Sequence, residues 1–379
     1  MDVARKSQSQ SRNVPPKHDH TVLVLQGGGS LGAYQAGAYE GLAEAGVIPD
    51  WIAGVSIGAI NAALIAGNPP ERRVERLREF WNRVSAIAPF IPPASVGSLR
   101  PAFNGFSVAA AAAFGVPGFF APRMPSAFFG RADDDSTSSV YQTDMLKSTL
   151  EELVDFDLIN QGDVRLSLGA VNVKAGNSIY FDNRQTRIGS DHVRASGALP
   201  PSFPSVKIDG EYYWDGGLVS NTPLWYVLDD SPQMNALIIQ VDLFSMQGEL
   251  PDSLDRVMER EKDIRYSSKT RFNTKRVKEL AELRAALCRL LAKLPPTLAT
   301  DADAKLLTEA SKAGQVTVAH LINRRLPYSS QSKDCEFSRA TVTELWAAGL
   351  ADVRRAAANT DWAKPEELWE GMRVYDLTK

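Results

Sequence analysis

The chain has 379 residues, room for one large domain or two unequal ones with a sizeable core. A formal net charge of −3 gives no electrostatic case for nucleic acid. Two cysteines, Cys288 and Cys335, rule out a disulfide framework or thiolate metal site, and His18, His20, His192 and His320 have no ligand-like spacing.

Residues 1–20 are polar, with Pro15-Pro16 and no apolar core, which reads as a disordered leader and neither a signal peptide nor an anchor. No later apolar run is long enough to span a bilayer, so a cytoplasmic protein is expected. Residues 21–25 form a short apolar run suited to a buried strand. Gly27, Gly28 and Gly29 follow, with Ser30 in the N-cap place of a small-residue helix running to Ala45. A second apolar run, residues 51–55, ends in Gly54-Val55-Ser56-Ile57-Gly58 and enters a helix-like run, residues 59–66. Strand, glycine turn, helix, strand, serine turn, helix makes a parallel sheet with right-handed crossovers, both turns at the same edge.

A serine with glycines two residues either side suits a cramped strand-to-helix turn that points its hydroxyl outward. The helix behind it adds partial positive charge, which favours a developing oxyanion. The glycine turn has two active readings. As Gly27-x-Gly29-x-x-Gly32 it matches a dinucleotide fingerprint, but the acidic residue that reading needs is represented only by Asp50, which lies before the second strand. As an oxyanion hole it would serve the neighbouring serine with the same amides. A nucleophile turn and an amide-rich turn at one sheet edge favour acyl transfer.

Further on, residues 71–83 have helical spacing of Val74, Leu77 and Trp81. Residues 88–135 change character, rich in Pro, Gly, Phe and Ala up to Gly130 and closing on Asp133-Asp134-Asp135. They read either as a buried loop-helix-loop or as an apolar lid or acyl-chain wall, with Phe119, Phe120, Phe128 and Phe129 as the residues that could touch a lipid surface. A helix is expected over residues 141–153, strands over 164–173 and 179–182, and a short helix over 192–198. A hairpin turning at Asp209-Gly210 delivers Asp215-Gly216-Gly217, and residues 236–243 read as another buried parallel strand. Beyond 251 the chain is mostly charged amphipathic helix, with a strand-like run over 316–322 and an apolar helix face over 338–358.

Gly27-Gly28-Gly29-Ser30-Leu31-Gly32, Gly54-Val55-Ser56-Ile57-Gly58 and Asp215-Gly216-Gly217 resemble the three signatures of the patatin-like phospholipase family. The resemblance covers residues 21–244 and implies an α/β three-layer sandwich with a mainly parallel sheet, followed by a helical C-terminal extension. It divides the chain into the leader, an acyl hydrolase domain over 21–250 with its lid-like insertion, and the extension over 251–379. It implies a serine acyl hydrolase with a Ser–Asp dyad, Ser56 and Asp215, needing no metal or cofactor. Gly27, Gly28, Gly29 and Gly32 would build the oxyanion hole, the amides coming from Gly28 and Gly29 while Gly27 and Gly32 shape the turn. Gly54, Gly58, Gly216 and Gly217 would shape the two catalytic turns. Leu31 departs from the family's usual Arg or Lys.

Within this class a triad through His192, which the resemblance argues against, is the rival. Outside it stand a nucleotide-binding protein using the glycine loop and a non-catalytic interaction module. The expected partner is a lipid or ester substrate, with no nucleic acid. Peripheral membrane contact stays open, as do two roles for the extension: homo-oligomer contacts or a cap over the site.

Overall fold

The computed structural model describes residues 18–88, 99–124, 139–230, 234–295, 297–298, 300–311, 314, 316–324, 330–358, 362 and 372–378, without the side chains at 268–275, 277–278 and 281. Most of the expected leader, Phe128, Phe129 and Asp133-Asp134-Asp135 lie outside the described residues.

The chain runs β1 (His20–Leu25), α1 (Gly32–Glu44), β2 (Trp51–Val55), α2 (Ile57–Ala66), α3 (Arg73–Val84) and α4 (Arg100–Phe114). It continues through β3 (Ala121–Pro122), β4 (Tyr141–Gln142), α5 (Asp144–Leu153), α6 (Phe156–Gln161), β5 (Arg165–Asn172), β6 (Ser178–Asp182) and α7 (Ser190–Ser196). β7 (Val206–Ile208), β8 (Glu211–Asp215), α8 (Leu224–Asp230), β9 (Ala236–Asp242), α9 (Leu254–Leu291), α10 (Ala302–Ser311), β10 (Val316–Ile322), α11 (Arg339–Ala357) and β11 (Met372–Asp376) complete it.

The central sheet has the order β11-β10-β9-β1-β2-β5-β8-β7, with β6 also paired to β5. The pairs from β11 to β5 are parallel, and β6, β7 and β8 pair antiparallel. This is the expected α/β layer arrangement: β2 and β9 are buried along their whole length, as strands covered on both faces must be. Leu23, Ile52, Leu168 and Ile239 face a large core shared with α1, α2, α3 and α11, while Val22, Ala53 and Ile238 face a smaller one closed by Leu224 and Val227 of α8.

The C-terminal region is helical, and it also feeds β10 and β11 into the sheet beside β9. α11 lies against α1 so closely that a methyl on Gly37 would sit 1.9 Å from the Trp346 carbonyl oxygen, and one on Gly349 2.1 Å from that of Tyr34. Val342, Leu345 and Trp346 therefore belong to the same core as Leu23 and Tyr34. Residue 250 separates two sequence patterns that share one hydrophobic interior.

Two local expectations are corrected. Ser30 caps no helix: it sits inside a 3₁₀ turn, Gly29–Leu31, and its hydroxyl donates to the Lys333 carbonyl at 2.8 Å. The helix expected from residue 141 begins at Asp144, because Tyr141–Gln142 pairs with Ala121–Pro122. Among the described residues no helix is long and apolar enough to cross a membrane.

Candidate active site

Two strands meet head to head along one edge of β5. β2 follows that edge up to Val55, opposite Gly169, and β8 then takes it over with Asp215 opposite the next residue, Ala170. β6 fills the other edge. Ser56, the residue after Val55, therefore meets Asp215 although the two are far apart in sequence.

Ser56 has φ 56° and ψ −124°, a conformation that costs a non-glycine residue about 1–3 kcal/mol. It is held there because its N–H donates to the carbonyl (3.1 Å) and hydroxyl (3.0 Å) oxygens of Ser196, whose own hydroxyl donates to Gly169 O at 2.6 Å. The flanking glycines answer to space: a Cβ on Gly54 would lie 2.4 Å from Gly58 O, and one on Gly58 2.3 Å from Leu25 O. α2 starts at Ile57, so its positive end lies directly behind the serine.

Asp215 is 2% exposed. Burial pushes its carboxyl up to about 6, opposed by hydrogen bonds from the Ser56 hydroxyl and the Gly217 amide, the latter at 2.7 Å. Burial wins because few donors remain to replace lost hydration.

In the glycine loop, Gly27 N–H donates to Asn221 O at 3.1 Å, and Gly32 N–H donates back to Gly29 O and Ser30 O. No protein acceptor takes the amides of Gly28 and Gly29 among the described residues, and both glycines line the cavity that holds Ser56. The loop is braced from behind by buried amides. Gln35 donates to Gln26 O (2.7 Å), Asn61 to Gly32 O (3.0 Å), Asn221 to Gly27 O (3.0 Å), and Gln26 accepts from Leu243 N (2.6 Å). Such a network keeps the loop's free amides from collapsing onto other acceptors.

Ser56, Asp215, Gly27, Gly28, Gly29 and Gly217 share the floor of a cavity of about 290 Å³. Its walls are mainly apolar, from Ile60 of α2, Ala111 of α4, Phe119, Phe120, Phe203 and Phe337. Phe119 and Phe120 are therefore buried wall residues; a lipid surface is not where they point. Among the described residues of that stretch, the exposed aromatic side chains are Phe106 and Phe114 on α4, at 70% and 78%.

Of the other sequence candidates, His192 stays outside the cavity lining, accepting the Gly189 N–H on Nδ1 and packing edge-on to Phe181. Burial holds its imidazole below the usual range. Asp50 sits at the entry end of β2, bonded to His20 and to Thr21 N–H, so it is remote from any ligand at the glycine loop. Sequence reasoning missed Ser196, Asn221 and the cavity residues Tyr266, Ser332, Asp334, Cys335 and Phe337. Asn221 stood in the run that follows Asp215; the others left no signal in their local sequence.

Residues 23–228 match the profile described as patatin-like phospholipase. The chain belongs to the patatin-like phospholipase family. A second profile, described as patatin phospholipase, matches residues 264–368. A patatin-like phospholipase domain-containing protein of Caenorhabditis elegans is 42% identical over 59 residues, 16% of this chain and 5% of that relative, so the chain spans a small part of its length. The crystal structure of VipD from Legionella pneumophila is similar with a TM-score of 0.32 and 14% identity, covering 88% of this chain and 67% of that one. Against the family's usual basic residue, the Leu31 of this patatin-like chain is fully buried and joins the main core. A cation there would have to give up its hydration inside hydrocarbon, so the apolar residue suits the packing as it stands.

Proposed function

We propose that the chain is a serine acyl hydrolase that cleaves carboxylic esters of lipids through a Ser56–Asp215 dyad. The observation that carries this reading is the meeting of Ser56 and buried Asp215 on the floor of a mainly apolar cavity, beside two unspent backbone amides. Ser56 Oγ attacks the ester carbonyl carbon as its proton passes to Asp215. The carbonyl oxygen becomes the oxyanion and accepts from the amides of Gly28 and Gly29. The bond to the alcohol then breaks, and Asp215 returns the proton to the leaving oxygen. Water next attacks the acyl-enzyme, giving a proton to Asp215; release of the fatty acid restores it to Ser56 Oγ.

A carboxyl at its ordinary pKa of ~3.9 is a poor base, and a value of about 6 brings Asp215 closer to the proton it must take. An oxyanion donor is typically worth a factor of about 10²–10³, so two amides supply much of the remaining barrier reduction. The acyl chain would lie against Phe119, Phe120 and Phe203. Phe106 and Phe114 supply an apolar outer face on the helix whose inner side contributes Val108 and Ala111 to the cavity, which suits peripheral contact with a lipid surface.

The test is hydrolysis of p-nitrophenyl esters, with a fluorophosphonate probe read by intact mass. The wild type is expected to label on Ser56 and turn over, Ser56→Ala and Asp215→Asn to lose turnover, and His192→Ala to keep it. A wild type that neither labels nor hydrolyses any ester would remove the reading.

A further inference from the structure

Between β10 and α11, in the half of the chain with no catalytic signature, residues 330–337 reach across to the glycine loop. The Asp334 carbonyl oxygen lies 2.1 Å from where a Cβ on Gly29 would stand, and Lys333 O accepts the Ser30 hydroxyl at 2.8 Å. Gly29 has φ +57°. The loop main chain thus packs directly onto one of the two glycines with an unspent amide.

The reaching loop is anchored from outside by ion pairs to α9. Lys262 Nζ donates to Asp334 (2.6 Å) and Gln331 O (2.6 Å), while Lys333 Nζ reaches Asp263 (2.6 Å) and Glu259 (3.3 Å). Lys333 and Glu259 are both 9% exposed at the side chain. Ions that far from water hold their partners to one geometry, because a broken pair would leave an uncompensated buried charge. Ser332, Asp334, Cys335 and Phe337 line the cavity, and the Phe337 ring stands 5.8 Å from that of Phe119, joining the loop to the aromatic wall. Cys335 is exposed and lines that cavity.

We propose that residues 332–337 are a substrate-binding element, with Cys335 and Phe337 setting which acyl chains the cavity accepts while the Asp334 main chain fixes the oxyanion loop. The C-terminal region is then part of the active site and supplies one of its walls. The proposal rests on the hydrolase reading for its account of specificity, and on the cavity alone for binding.

The experiment uses full-length protein in a Cys288→Ser background. Desolvation pushes the Cys335 thiol up to about 12, so its alkylation by iodoacetamide is run at pH 9 and followed by intact mass with and without 1-decanol. The kcat/KM for p-nitrophenyl decanoate and butyrate is compared among wild type, Cys335→Trp and Phe337→Ala. At about ten times its Kd, decanol should slow alkylation about tenfold by simple occupancy. Cys335→Trp should lower the decanoate-to-butyrate ratio about tenfold and Phe337→Ala should raise it, the scale on which a filled or emptied apolar pocket discriminates. Unchanged alkylation with decanol bound elsewhere, or wild-type ratios in both folded variants, overturns the proposal. Decanol protection in a protein that hydrolyses neither ester would support the loop as a binding element and sink the hydrolase reading instead. Alkylation leaves the loop sequence intact, so it decides the matter even if a variant fails to fold.

Discussion

Replacing Asp215 by Asn should silence the site and stabilise the fold. The carboxyl sits at about 6 in the folded protein against a reference of 3.8. Because the folded value is raised, the native state binds the proton more tightly than the unfolded chain between those two values, so stability falls as pH climbs through that window. About two units correspond to about 3 kcal/mol of destabilisation once pH exceeds 6. Asn keeps the shape, can accept the Gly217 amide on its oxygen and donate to the Ser56 hydroxyl, and never carries the charge. Thermal unfolding by circular dichroism at pH 7.5 should place the Asn variant about 4 °C above the wild type, given the shallow dependence of Tm on free energy in a chain of this size. At pH 4.5 the gap should shrink to about one third, since the wild-type carboxyl is then mostly protonated when folded. An Asn variant that melts at or below the wild type at pH 7.5, or a gap indifferent to pH, would refute the argument that Asp215 is held charged at a cost.

Turnover of a soluble ester should follow the same group in the opposite sense: kcat/KM rises through about pH 6 and loses about tenfold per unit below it, and a profile flat from pH 4.5 to 7 would exclude Asp215 as the base. Gly349→Ala should cost about 3 kcal/mol or more in urea denaturation, because its methyl meets the Tyr34 carbonyl oxygen at 2.1 Å and the two helices must separate; an unshifted midpoint would show that α1 and α11 give way easily. The double change Phe106→Ser with Phe114→Ser should lower turnover of ester presented in phosphatidylcholine vesicles while leaving a soluble short-chain ester unaffected, and equal loss on both would argue against an interfacial role for α4.

The first half of the chain was legible because its signals are local. Apolar runs bounded by glycines gave β1 and β2 nearly to the residue, and the strand-turn-helix order around Ser56 implied the parallel edge on which the turns sit. Asp215 could be found only through its motif, since nothing in the sequence says that β8 will follow β2 along the same edge of β5. The role of residues 332–337 was hidden for a stronger reason: their contact with Gly29 runs through a main-chain carbonyl, which every residue type possesses. Likewise Gln26, Gln35 and Asn61 look like ordinary polar residues of two helices and a turn until the fold brings their amides together. The sequence left open whether Phe119 and Phe120 were buried, walled the cavity or met a lipid surface, because an apolar run does not say which of its aromatics face inward. That is decided by the turn at residues 116–120, where Val116 and Phe120 bridge.

The head-to-head meeting of β2 and β8 has a bearing on how the molecule comes to be. No short stretch of chain holds both Ser56 and Asp215, and each reaches its place only when its own strand has docked on β5. Pairings between distant parts of a chain form slowly, since loop closure must precede any reward from the contact. The loop over Gly29 comes from later still in the sequence. A nascent or half-assembled chain would therefore hold Ser56 without Asp215 beside it until β8 had joined β5 in the sheet.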